Sequence, residues 1–170
     1  MVGRLKVLAA VLALTVFSLS CTATDGREAE RLVDPLDAAC ALADTWMKTY
    51  PPERMSWSWD SGVLMLGLWD LYEVTGDEKY RDYVKSWLDH HIRSGYVIAF
   101  NDHVPPALIA LRLWVETGDE AYRRVVDDAK EYISVKASRT PDGGLNHMGW
   151  YTGNEIWVDT LFMVTPFLME

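Results

Sequence analysis

The stretch Leu71-Tyr72-Glu73-Val74-Thr75-Gly76-Asp77-Glu78-Lys79-Tyr80 returns as Leu113-Trp114-Val115-Glu116-Thr117-Gly118-Asp119-Glu120-Ala121-Tyr122. The offset is 42 residues, and Val84 with Val126 carries the match further. Self-similarity at a fixed period of this size means a repeated supersecondary unit, and the period is too long for the helical hairpins of roughly 34 residues. Each Thr-Gly-Asp reads as a junction between two helices. Glycine takes the left-handed turn that stops one helix, and aspartate caps the start of the next.

The helices on either side of each junction differ in kind. Ahead of Gly76, Val63-Leu64-Met65-Leu66, Leu68, Trp69, Leu71, Tyr72 and Val74 leave almost no polar face. Ahead of Gly118, Ala107-Leu108-Ile109-Ala110-Leu111, Leu113, Trp114 and Val115 do the same. A helix that is apolar all round is expected to be buried all round. After the glycines, Tyr80, Tyr83, Val84, Trp87 and Leu88, and then Tyr122, Val125, Val126, Ala129, Tyr132 and Ile133, recur at spacings of three and four. That is one apolar stripe per helix. A further amphipathic helix is expected at Pro35 to Thr49, and a third apolar one at Glu155 to Leu168, after the loop Thr140-Pro141-Asp142-Gly143-Gly144. Six helices then pair as three inner and outer partners. The fold class is all-α, an α/α toroid in preference to an open helical array.

Working outward to the ends, Arg4 and Lys6 precede an apolar run from Val7 to Phe17, followed by Ser18-Leu19-Ser20-Cys21. A positive start, a short apolar core and small residues make residues 1–20 an export signal, too short to span a bilayer as an ordinary helix. Two readings stay open: lipidation of Cys21, as in a bacterial lipoprotein, or ordinary cleavage near Ser20 or Ala23. Both make the mature protein exported: periplasmic, secreted or lipid-anchored. Residues 21–32 read as a linker and 33–170 as the helical domain. Residues 1–20 carry two basic and no acidic side chains, so removing them takes the net charge from −9 to −11. Such a chain has no general attraction for nucleic acid or an anionic membrane, which leaves the lipid on Cys21 as the sole membrane contact expected. Two cysteines, Cys21 and Cys40, cannot build a disulfide framework or a multi-cysteine zinc site.

In a two-ring arrangement the inner helices share one end, with their positive dipole ends facing one mouth. The unusual residues collect there: Trp57-Ser58-Trp59-Asp60, then Phe100-Asn101-Asp102-His103, then Asn146-His147-Met148-Gly149-Trp150-Tyr151 and Ile156-Trp157-Val158-Asp159-Thr160. Asp102 follows Asp60 by 42 residues, in repeat register. Aromatic rings beside carboxylates at a concave mouth suit sugars, since rings stack on C–H faces while carboxylates bond hydroxyls or move protons. Asp60 and Asp102 also stand where helix caps belong, and capping alone explains either. His90-His91 read as solvated residues of an outer helix, and Trp69, Trp87 and Trp114 as core. Asp159 is different: it lies among Ile156-Trp157-Val158 and Leu161-Phe162-Met163, so it is expected inside an apolar helix. A buried carboxylate without a cation costs several kcal/mol or holds a proton, and that suits general acid catalysis. No second histidine stands at helical spacing from His147, so no metal site is expected.

At these residues the sequence resembles the unsaturated uronyl hydrolases, glycoside hydrolase families 88 and 105. Ile156-Trp157-Val158-Asp159-Thr160-Leu161-Phe162-Met163 with Pro166-Phe167-Leu168, the Phe100-Asn101-Asp102-His103 segment and the Thr-Gly-Asp repeats carry the resemblance, over about residues 33–170. It implies an (α/α)6 toroid of six hairpins. It also implies an enzyme that takes a 4,5-unsaturated uronic acid off oligosaccharides made by polysaccharide lyases, without metal or cofactor. By the same resemblance Asp159 is the acid and base that hydrates the vinyl ether double bond, and Asp102 holds the substrate and the charge of the transition state. His147 matches the family's histidine upstream of the acid, with an intervening segment one residue longer here. Trp59, Asp60, His147 and Trp150 are expected to bind the sugar. Since the overall charge repels an anionic sugar, the attraction has to be local, from inner-helix N-termini. Arg139 is a candidate cation whose surface-loop reading is preferred. The alternatives are an inverting glycosidase using Asp60 or Asp102 with Asp159, and a glycan-binding half-toroid without turnover. A closed ring of six 42-residue hairpins needs about 250 residues. The chain is therefore expected to hold three of the six, the N-terminal half of the enzyme, and to be poorly stable and largely inactive alone.

Overall fold

The computed structural model describes residues 34–149 and 153–170; the export signal at 1–20, the linker at 21–32, Cys21 and Trp150 lie outside them. Among the described residues six α-helices follow in order: α1 Pro35–Thr49, α2 Trp59–Thr75, α3 Glu78–Ser94, α4 Pro105–Thr117, α5 Glu120–Glu131 and α6 Val158–Met169. A 3-10 turn, Asn101–His103, leads into α4, and a π-helical turn, Tyr132–Lys136, ends α5. Among the described residues there is no strand, only an isolated antiparallel bridge between Arg139 and Leu145. The fold is all-α, a partial α/α toroid.

Both Thr-Gly-Asp junctions do what their residues dictate. Gly76 and Gly118 stand at φ 70° and 72°, and each donates its N–H back to a carbonyl of the helix it ends, Tyr72 or Trp114. Asp77 then accepts from the Lys79 N–H and Asp119 from the Ala121 N–H, the N-cap contacts that satisfy otherwise orphaned donors. The threonine hydroxyls bond the carbonyls of Leu71 and Leu113, and accept from the N–H groups of Asp77 and Asp119.

The inner helices pack in the order α2, α4, α6, with α3 against α2 and α5 against α4. Their N-termini share one end. A Cβ added at Gly62, in the first turns of α2, would stand 2.9 Å from Pro105 Cβ and Pro106 Cδ at the start of α4. The Asn101–His103 turn packs against both α2 and α6. Toward the other end, Arg112 of α4 bonds Asp70 of α2 at 3.1 Å and Glu170, just past α6, at 2.8 Å.

The expectation that the inner helices are buried all round holds for none of them in full; α4 comes nearest, with Pro105 to Ala110 and Leu113 buried but Val115 exposed. Its two neighbours lie at the edges of the array. One side of α2 faces a groove of about 670 Å³ lined by Leu42, Trp46, Val63, Leu64 and Leu71, and Val74 is exposed. On α6, Val158, Leu161, Phe162, Leu168 and Met169 are exposed. The shared core is held by Trp87, Leu88, Val84, Met65 and Ile109, together with Tyr80 and its repeat counterpart Tyr122. Trp69 and Trp87 are core as expected, whereas Trp114 is only half-buried. His91 is buried, contrary to its solvated reading. Its Nε2 lies 2.9 Å from the Met55 carbonyl and its ring stands edge-on to Trp57 and Trp87. Burial pushes its pKa down.

Candidate active site

Each side chain at the mouth is placed by a local device. The expected helix start at Glu155 is corrected to Val158, because the chain before it is tied in extended form. The His147 N–H donates to the Glu155 carbonyl at 2.8 Å, and the Glu155 N–H to Asn146 Oδ1 at 3.3 Å. That correction moves Asp159 into the first turn of α6. The expected burial of Asp159 is corrected with it: the side chain is 46% exposed, so the desolvation argument for this residue has no footing. A carboxylate in the first turn is instead favoured by the helix dipole.

The half-buried carboxyl is Asp102. It sits in the 3-10 turn ahead of α4, with Val104 rather than Asp102 in the capping position. The cap reading of Asp60 is corrected as well. Ser58 precedes α2, and the Asp60 carboxylate accepts from the Ser61 N–H at 2.7 Å within the first turn. Asp102 Oδ1 is buried with no hydrogen-bond partner among the described residues. Burial pushes the Asp102 pKa up; the His147 charge opposes this, the nearby Asp159 carboxylate adds to it, and His103 opposes it. Burial pushes the neighbouring His103 down, against the pull of Asp102.

His147 lies beside Asp159 and within electrostatic reach of Asp102. It is buried; its Nδ1 lies 3.0 Å from Thr160 Oγ1 and 3.6 Å from Asp159 Oδ1, a hydrogen bond and a looser charge contact. Its ring stacks on Trp157, with centroids 4.1 Å apart and planes 4° apart. Trp157 is itself half exposed at the mouth, with its indole N–H on Glu155.

Of the residues singled out from sequence, the fold thus gathers Asp102, His147 and Asp159. Trp59 and Asp60 are exposed at the start of the adjoining α2, and Trp150 is outside the described residues. Arg139 is an exposed loop residue, its guanidinium bonded to the carbonyls of Ile133 and Gly143. Trp157, Thr160, Asn101 and Tyr132 were missed as individual positions. The stacking of Trp157 on His147 joins residues across the 150–152 segment, and no local pattern announces it.

These features define an α/α toroid with a carboxylate–imidazole cluster at the mouth of its inner helices. Residues 39–170 match the Glycosyl Hydrolase Family 88. The chain belongs to that family. It is 30% identical over 119 residues to the unsaturated rhamnogalacturonyl hydrolase YesR of Bacillus subtilis (strain 168), a match covering 68% of this chain and 35% of that protein. A possible member of the GH105 family from Klebsiella pneumoniae subsp. pneumoniae MGH 78578 superimposes with a TM-score of 0.69 at 23% identity. One from Salmonella enterica subsp. enterica serovar Paratyphi A str. ATCC 9150 does so with 0.68 at 22%. Both matches cover 82% of this chain, against 42% and 43% of theirs. The chain therefore spans about a third of the curated relative and less than half of either solved structure.

Proposed function

We propose that this chain carries the acid–base part of a hydrolase that releases a 4,5-unsaturated uronic acid from lyase-generated oligosaccharides. The observation that carries the reading is the meeting of Asp102, His147 and Asp159 at one mouth, in a chain of this family. Asp159, on the open side, takes up a proton from solvent, delivers it to one alkene carbon and then takes one from the water that adds. The hydroxyl goes to the carbon bearing the ring oxygen, giving a hemiketal that opens and expels the remaining sugar. Asp102, its carboxyl pushed up by burial, holds the substrate and the charge of the transition state. His147, stacked on Trp157, steadies the Asp159 carboxylate from behind. The three inner-helix N-termini supply the local positive field that an anionic sugar needs in an acidic protein. Export through residues 1–20, with either lipidation of Cys21 or ordinary cleavage near Ser20 or Ala23, belongs to the same reading, since the substrate arises where lyases degrade polysaccharide.

The test follows the loss of ultraviolet absorbance of the unsaturated uronate, with the whole gene product and with the 170-residue chain side by side. The whole product should consume the substrate, and Asp159→Asn and Asp102→Asn should each lower the rate by about 100-fold or more. The isolated chain, with three hairpins, should be far slower. No absorbance loss with the whole product sinks the proposal, and cleavage of saturated glycosides instead points to an inverting glycosidase.

A further inference from the structure

Asn101 is fully buried, and both its amide nitrogen and its amide oxygen are engaged where two parts of the mouth meet. Its Nδ2 donates to the carbonyls of Asn146 at 2.9 Å and His147 at 3.1 Å. Its Oδ1 accepts from the Tyr132 hydroxyl at 3.1 Å. Two donors and an acceptor on so short a side chain are a property of asparagine; aspartate would set an anion against two carbonyls, and leucine would withdraw a hydrogen-bond partner from each of three polar groups.

Tyr132 stands where α5 departs from the repeat, its own N–H still on the Asp128 carbonyl in helical register. The equivalent outer helix α3 runs regularly to Ser94, whereas α5 stops at Glu131 and continues as the π turn Tyr132–Lys136. In that turn the Ala137 N–H bonds the Tyr132 carbonyl at 2.7 Å. The Ile133 carbonyl, which an α-helix would have given to Ala137, takes the Arg139 guanidinium at 2.6 Å. Single π turns inside helices are frequent at functional sites, and this one opens on a side chain that reaches the mouth. Here the side chain is a buried tyrosine whose hydroxyl fixes the orientation of the Asn101 amide.

We propose that Asn101, oriented by Tyr132, is a positioning residue that clamps the His147 segment to the turn carrying Asp102, setting the imidazole against Asp159. Asn101 is the residue before Asp102, and the carbonyls it holds belong to His147 and its predecessor. Loss of the clamp frees the one backbone element that carries the imidazole, while α2, α4 and the core around Trp87 keep their packing. The catalytic part of this inference rests on the function proposed above; the structural part does not.

The experiment compares wild type, Asn101→Leu and Tyr132→Phe by NMR of the histidine rings. With four histidines in the chain, His147→Gln assigns the signal. Both variants should move the His147 ring resonances, reduce their ring-current shift from Trp157 and change their titration midpoint. In the whole gene product kcat should fall by about 10-fold or more with KM little changed, the pattern of misplaced catalytic groups. A folded Asn101→Leu protein with wild-type His147 resonances and titration overturns the clamp. If Asn101→Leu does not fold, Tyr132→Phe decides by the same signals, and failure of both to fold overturns a local positioning role in favour of a scaffold one. If the wild-type product leaves the unsaturated substrate untouched, the functional reading falls while the NMR comparison still judges the clamp.

Discussion

Asp102 is held where its charge is disfavoured, and this has a measurable consequence for folding. A carboxyl whose pKa is higher in the folded state than in the unfolded one favours folding when protonated. That contribution is complete below the unfolded value of about 3.9 and is lost as the pH rises through the folded value. Asp102→Asn should therefore melt at a higher temperature than wild type at pH 7, with the gap closing toward pH 3. Thermal melts across that range check it, and an equal or lower melting temperature at pH 7 would contradict the burial argument. Together with the loss of turnover expected above, the variant would trade activity for stability. Sequence reasoning had the two aspartates but exchanged their environments. Asp159 sits in an apolar string, yet the ties of Glu155 to Asn146 and His147 delay the helix and leave Asp159 in an exposed first turn. Asp102 looked like an exposed cap, and the packing of its turn against α2 and α6, a long-range fact, half-buries it.

At the scale of elements, local chemistry accounts for most of what is seen. The Thr-Gly-Asp junctions fix where α2 and α4 stop and where α3 and α5 begin, because glycine dihedrals and aspartate caps are decided within a few residues. Asp119→Ala should cost about 1 kcal/mol in urea unfolding, the usual worth of a lost N-cap, without moving the His147 resonances. The bounds of α1, Pro35–Thr49, fall where its apolar spacing put them. The π turn after α5 was not legible: Tyr132 and Ile133 continue the apolar stripe unbroken, and what diverts the Ile133 carbonyl is Arg139, three residues beyond the turn. A periodic pattern shows which face is apolar, and it is blind to one hydrogen bond slipping by a residue.

For the molecule as a whole, the alternation of apolar and amphipathic helices was enough to predict an inner and an outer ring. Which inner helix would be enclosed was a matter of neighbours rather than composition, and only α4 has one on each side. The apolar surface at the two edges should make the 170-residue chain self-associate as concentration rises. Phe162→Glu with Met169→Lys should raise the concentration at which this begins, measured by sedimentation velocity. Both side chains are more than half exposed, so stability should change by no more than about 0.5 kcal/mol each. A wild-type chain that stays monomeric throughout, or an unaltered onset in the double variant, would contradict this. The repeat itself adds something further. Asp60 and Asp102 occupy the same position in successive units, one open to solvent in a helix turn and the other packed beneath a neighbour. The molecule thus contains its own reference compound: the same side chain, in the same chain and the same buffer. Carbodiimide labelling of the two carboxyls in a single sample would read the difference in surroundings directly, with every other variable cancelled.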